Sequence, residues 1–248
     1  MQGDYIKRES LSPFTSSYTA ITSVKYTLDP SLDKSLTDLV RRILPLATHS
    51  ALIQEYTSQA SSYSAGRCGN ALASALSQIH HELLLLLAQL EGETGLPRLY
   101  YYLGPSIATM QVCNSLVIDV VSAGPVVGSA LLNIINQRRV MASGDANAVK
   151  IMTHLEEASC APYIHMLTGW VDRGVIEGDE WGEFCIEERG DIEVPMTRSG
   201  VLVGKGGGDI EDWWWESKYT LKGVVPSFLK GVEGRVLLAG KYLNVLRA

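Results

Sequence analysis

Cysteine and phenylalanine are scarce in this chain, with four and three residues respectively among 248. Cys68, Cys113, Cys160 and Cys185 stand far apart and no Cys-x-x-Cys pair occurs. Neither a disulfide framework nor a zinc knuckle is encoded by that spacing, and free buried thiols in a reducing compartment are expected. Positive charge is also in deficit: 21 Lys and Arg stand against 27 Asp and Glu, for a formal net charge of −6. The cations are scattered, which argues against a nucleic-acid partner, because phosphates call for a basic face. Long apolar runs are missing too. The longest, Leu83 to Ala88, has six residues, whereas a membrane span takes roughly 20. The N-terminal stretch from Met1 to Ala20 is polar and carries Asp4, Lys7 and Arg8, unlike a secretory leader. A soluble cytoplasmic protein with no membrane partner is the expectation.

Catalytic and ligand-binding signatures are equally thin. Gly204-Lys205-Gly206-Gly207-Gly208 invites a phosphate-loop reading, but Gly200 and Gly204 are four apart rather than five. Gly206 also stands where the loop needs a Ser or Thr hydroxyl. His80 and His81 are adjacent, so on a helix their imidazoles diverge by about 100° and cannot share a metal. No Gly-x-Ser-x-Gly elbow occurs. The acidic pairs Glu156-Glu157 and Glu187-Glu188 read as solvated charges. No catalytic residue, cofactor site or metal site is expected.

What the chain does have is 46% hydrophobic content arranged mostly at helical spacing. Leu36, Leu39, Val40, Ile43, Leu44 and Ala47 form one stripe, with Asp33 or Ser35 as cap. Pro45 is expected to kink or break that helix before it resumes through Ile53 and Tyr56. Gly66 to Asn70 reads as a break, and a second helix runs from Ala71 to Glu91. Within it Leu83 to Leu87 is apolar almost all round, as for a central helix contacted on several sides. Leu99 to Leu103 and Ser106 to Val121 follow, separated by Pro105. Gly124-Pro125 opens another helix, Asp145 caps the next, and Gly174 stops it after Trp170. About five antiparallel helices over residues 31–174 make an all-α, elongated helical bundle. Residues 1–28 read as a flexible arm with only Val24 to Leu28 extended, and 29–248 as the helical domain. Phe184-Cys185-Ile186 reads as a lone extended piece. Residues 189–209 read as a mobile Gly-rich loop insertion, and a last helix runs from about Lys230 to Arg247.

The end of the chain is its most distinctive part. It reads Trp214-Trp215-Glu216-Ser217-Lys218-Tyr219-Thr220-Leu221, then Pro226-Ser227-Phe228-Leu229, then Gly240-Lys241-Tyr242-Leu243-Asn244-Val245. That order and spacing resembles the gamma-tubulin complex component family. Further upstream, Leu44-Pro45-Leu46-Ala47-Thr48, Asn70 to Leu76, Ala158 to Trp170 and Glu183-Phe184-Cys185-Ile186-Glu187-Glu188 are similar to the same family. The resemblance covers about residues 29–247, and within the family component 2 is the best likeness. Its signature residues here are Trp215, Lys218, Tyr219, Pro226, Ser227, Phe228, Leu229, Gly240, Lys241, Tyr242, Leu243 and Asn244.

The resemblance implies the helical N-terminal half of a non-enzymatic scaffold subunit in microtubule nucleation, placed at the centrosome, spindle pole or other organising centre. Its implied partners are sister components, bound side by side through the same half. Gamma-tubulin would be held only by a C-terminal half that this sequence lacks. Two readings stay open for Trp213, Trp214, Leu237, Leu243 and Leu246. Either they seat the tail on the bundle, or they are exposed partner contacts. A helical adaptor acting outside the gamma-tubulin complex is the alternative function.

Overall fold

Residues 6–16, 19–30, 32–60, 65–92, 95–189 and 218–247 are described in the computed structural model. The first of them form a hairpin. β1 (Ile6–Ser16) and β2 (Thr19–Leu28) pair antiparallel, with Ile6 opposite Leu28 and Ser16 opposite Thr19. This differs from the expected arm, in which only the end was extended. Ile, Val, Thr and Tyr favour a pleated strand. The register shifts between Ser10 and Pro13, where proline cannot donate to the ladder, and that irregularity hides the two-residue alternation. β2 lies against the first helix.

Six helices follow among the described residues: α1 (Lys34–Ala60), α2 (Gly66–Gln89), α3 (Leu96–Ala123), α4 (Ser129–Met141), α5 (Ala146–Arg173) and α6 (Glu233–Arg247). At about 1.5 Å per residue the four long ones, α1, α2, α3 and α5, each reach about 36–42 Å. α1 packs on α2 and α3, and α5 packs on the same two. The four long helices therefore ring a common core in the order α1, α2, α5, α3. Leu72 and Leu76 of α2, Met110 and Leu116 of α3, and Met152, Leu155 and Met166 of α5 are buried in it. α4 lies on α5 and adds Leu131 and Ile135 to the core.

Several helix boundaries depart from the sequence expectation, and each has a tertiary cause. α1 runs unbroken through Pro45, and α3 runs unbroken through Pro105. Both prolines are exposed, so each ring faces water while core residues on either side hold the helix together. Leu103 and Met110 flank Pro105 in that way, and Leu46 and Ile53 follow Pro45. α2 starts at Gly66, not Ala71, because its first amides are capped from a distant part of the chain, described below. α4 starts at Ser129, leaving Pro125 outside the first turn. α6 starts at Glu233, after a short 3-10 turn at Ser227–Leu229. Where local chemistry was sufficient, expectation and structure agree. The Asp145 carboxylate accepts from the amides of Asn147 (2.9 Å) and Ala148 (3.3 Å) at the start of α5. Gly174, at φ +67°, closes α5 in the left-handed conformation.

The expected all-round burial of Leu83 to Leu87 does not occur. Leu83 is buried, but Leu84, Leu85 and Leu87 are exposed. By length and mean hydropathy α2 and α3 would each reach across a bilayer, at 1.3 over their most apolar 18 residues. Their apolar inner faces are used instead in the bundle core, and α2 carries His80, His81 and Glu82 midway along.

A second two-stranded sheet joins residues distant in the chain. β3 (Ile186–Glu188) pairs antiparallel with β4 (Tyr219–Leu221), Ile186 opposite Leu221. The extended piece expected at Phe184 to Ile186 thus sits slightly later and has a partner strand.

Candidate interaction surface

The segment from Lys218 to Arg247 is bound to the bundle by ring contacts, hydrogen bonds and an ion pair. Tyr219 is buried, and its ring meets the Trp170 indole edge-on at 4.8 Å. Lys218 pairs with Glu188 at 3.1 Å and lies over the Tyr219 ring at 5.3 Å. Burial pulls the Lys218 ammonium down, but Glu188 and Tyr219 outweigh it and leave its pKa above the usual lysine value. Next, two asparagines of α4 grip the turn. Asn133 Nδ2 donates to the Val225 carbonyl at 3.0 Å, and its Oδ1 accepts from the Ser227 amide at 2.8 Å. Asn136 Nδ2 donates to Ser227 Oγ at 2.8 Å. Pro226 and Leu229 are buried, while Phe228 is partly exposed with its ring edge-on to Tyr163 at 5.9 Å.

α6 then crosses the end of α5. Gly240 is buried, and a Cβ there would overlap the Trp170 indole; only glycine allows this approach. Trp170 Nε1 donates to the Val236 carbonyl at 2.8 Å. Asn244 Nδ2 donates to the carbonyls of Gly174 (2.6 Å) and Gly240 (2.9 Å), and Tyr219 Oη reaches Asn244 Oδ1 at 3.5 Å. Arg247 Nη1 donates to the Arg173 carbonyl at 2.8 Å.

These clasps divide the candidate residues by role. Lys218, Tyr219, Pro226, Ser227, Leu229, Gly240 and Asn244 face the body of the protein and fix how the tail lies. Leu237 packs against the core, and Leu243 is half-buried. Leu246 is 82% exposed and Tyr242 is 66% exposed. With Leu238 and Val245, also exposed, they form an apolar outer stripe at i, i+4, i+7 and i+8. Lys241 stands beside it, half-buried. Trp213, Trp214 and Trp215 lie outside the described residues, as does the Gly-rich stretch from Gly190 to Asp209.

Sequence reasoning missed the role of a buried carboxylate. Glu183 is buried, and its carboxylate accepts from the amides of Arg67 (2.7 Å), Cys68 (3.0 Å) and Gly128 (3.3 Å). It thereby caps α2 from 116 residues along the chain and holds the start of α4 from 55 residues along it. Asp179 Oδ1 accepts in turn from the amides of Glu183 and Phe184. Gly66 directly before the capped amides was the available signal, since a Cβ there would overlap the Glu183 carboxylate. Glu156 and Glu188, read as solvated, are ion-paired with Arg139 and Lys218. Glu187 accepts from Thr220 Oγ1 at 3.2 Å.

The cysteines are free, as expected from their spacing. Burial pushes the Cys113 thiol up to about 12 and the Cys160 thiol up to about 11. Burial, reinforced by Glu183, raises Cys68 further. His80 Nε2 is bonded to Ser50 Oγ at 2.7 Å across the α1–α2 contact.

The architecture is that of a helical bundle in which buried polar groups cap and clasp neighbouring elements. Residues 1–248 match the family described as Gamma tubulin complex component N-terminal, and the chain belongs to that family. Gamma-tubulin complex component 2 of Mus musculus is 34% identical over 228 residues, covering 90% of this chain and 24% of the relative. Gamma-tubulin complex component 2 of Arabidopsis thaliana is 29% identical over 91% of this chain and 32% of its own length. The spindle pole body component alp4 of Schizosaccharomyces pombe is 22% identical over 99% of this chain and 36% of its own length. The chain is most like component 2, and it spans about a quarter to a third of these relatives.

Proposed function

We propose that this chain is a non-enzymatic scaffold module of a gamma-tubulin complex, assembling side by side with the N-terminal halves of sister components at microtubule organising centres. Membership of the family is the observation that carries the reading. The geometry supports it, because Glu156, Glu187, Glu188 and His80 are engaged in ion pairs and hydrogen bonds. Large apolar side chains meanwhile stand outside the core, among them Leu84, Leu85 and Tyr101 on α2 and α3, Val140 and Met141 on α4, and Leu238, Tyr242 and Leu246 on α6. Exposed apolar groups on a rigid helical frame are what lateral protein contacts use. Gamma-tubulin is assigned to the part of the longer relatives that this chain does not span.

Light scattering tests this, on the chain alone and mixed with the N-terminal half of a sister component. A one-to-one complex whose mass is unchanged by added gamma-tubulin is expected. Retention of gamma-tubulin by this chain alone would overturn the division of labour. Absence of any complex at tens of micromolar would favour a helical adaptor acting elsewhere.

A further inference from the structure

Lys222, the residue after β4, is where the tail reaches the Glu183 cap. Its amide extends the β3–β4 ladder by donating to the Cys185 carbonyl at 2.8 Å. Its ammonium donates to the Gly182 carbonyl at 2.9 Å and pairs with Asp179 Oδ2 at 3.5 Å. Oδ1 of the same Asp179 accepts from the amides of Glu183 and Phe184. Glu183 in turn holds the first amides of α2 and the Gly128 amide just before α4. One run of polar contacts thus leads from the tail, through the 179–184 loop, to the starts of two helices.

Glu180, Trp181 and Gly182 at the tip of that loop are exposed, and Lys222 ties this tip to the body. The tie is shielded, with Lys222 27% and Asp179 11% exposed, so salt and water weaken it less than a surface pair. At the far end of the run there is no slack. A Cβ on Gly66 would overlap the Glu183 carboxylate, and one on Gly128 would overlap the Glu183 main chain. A shift of the loop therefore takes the carboxylate off its amides instead of being absorbed around it.

We infer that Lys222 is a positioning residue that couples the seating of the tail to the closure of the α2 and α4 starts, so that the two open and close together. Whatever draws residues 218–222 off the body then loosens the beginnings of α2 and α4 as well. This coupling lies within one chain and stands apart from the scaffold reading.

Three thiols make it testable on the full chain. Cys68, whose amide Glu183 holds, and Cys185, whose carbonyl holds Lys222, are buried at the coupled region. Cys113 is buried in the core on α3. A buried thiol is labelled only from opened molecules, so its rate follows the open population. N-ethylmaleimide labelling under native conditions is followed at each cysteine by mass spectrometry. Lys222→Met keeps the stem of the side chain and removes its charge. It is expected to speed labelling of Cys68 and Cys185 by about tenfold or more, with Cys113 unchanged. Asp179→Asn should give the same pattern, and the double variant should be no faster than either single one, because both cut one link. Lys218→Met loosens the same tail at Glu188 and should leave Cys68 slow. Cys68 unchanged in Lys222→Met would overturn the coupling. So would equal acceleration of Cys68, Cys185 and Cys113, which marks general destabilisation. Rates that multiply in the double variant, or Lys218→Met opening Cys68 as far as Lys222→Met does, would overturn it too.

Discussion

Two residues hold more of this structure than their neighbours. Glu183 supplies one carboxylate to three backbone amides from two helices. A buried donor left without its acceptor costs about 1–3 kcal/mol. Glu183→Gln should thus lower the unfolding free energy by that order, read as a lower urea midpoint, since an amide offers one acceptor oxygen and turns its own donors toward the amides. Gly240 is the second. Replacing a helical glycine with alanine normally gains up to about 1 kcal/mol, but here the added methyl would enter the Trp170 ring. Overpacking costs about 1–3 kcal/mol, so Gly240→Ala should be net destabilising. It should also change the near-ultraviolet signal of Trp170 as α6 lifts away.

His49 on α1 and His80 on α2 contribute to the acid behaviour. Burial lowers both His49 and His80 below the ordinary value of 6.5, and His81 adds repulsion at His80. The unfolded chain therefore binds protons first as pH falls, and stability should hold above about pH 6.5 and decline below it. Urea midpoints measured between pH 5 and 8 check this. A flat profile for the His49→Gln, His80→Gln double variant would locate the effect there.

At the scale of elements, the helices show which local signals can be overruled. Asp145 and Gly174 lie where a cap and a stop belong, and α5 obeys both. Pro45 lies where a helix ought to break, and α1 ignores it. A proline inside a helix costs about 3 kcal/mol, so Pro45→Ala should raise stability by about 1–3 kcal/mol, read as a higher thermal midpoint. A fall instead would mean that Pro45 is needed for the fit of α1 on α3. The N-terminus of α2 is the opposite case, a helix that begins where glycines forbid it locally, because Glu183 caps it from beyond α5. No reading of residues 66–70 alone yields that boundary.

At the scale of the whole molecule, the long helices, their buried stripes and the family were legible from residue spacing. So was the special status of the tail, from Tyr219 to Asn244. The use of that tail was not, because its residues act through contacts with α4 and α5 far away in the chain: Asn133 and Asn136 on the turn, Trp170 on Gly240, Gly174 on Asn244. Burial was misjudged where apolar density was highest, since five consecutive leucines cannot all face one core and α2 turns Leu84 and Leu85 outward.

By itself the sequence determined the helical periodicity, the caps formed by near neighbours and the family, because each depends on residues within a few turns or on a matching string. Only the tertiary structure decided which face of α2 and α6 is left uncovered, where α2 begins and how the tail is clasped. Those outcomes depend on groups that chain folding brings together across a hundred residues, whose energies no local pattern contains.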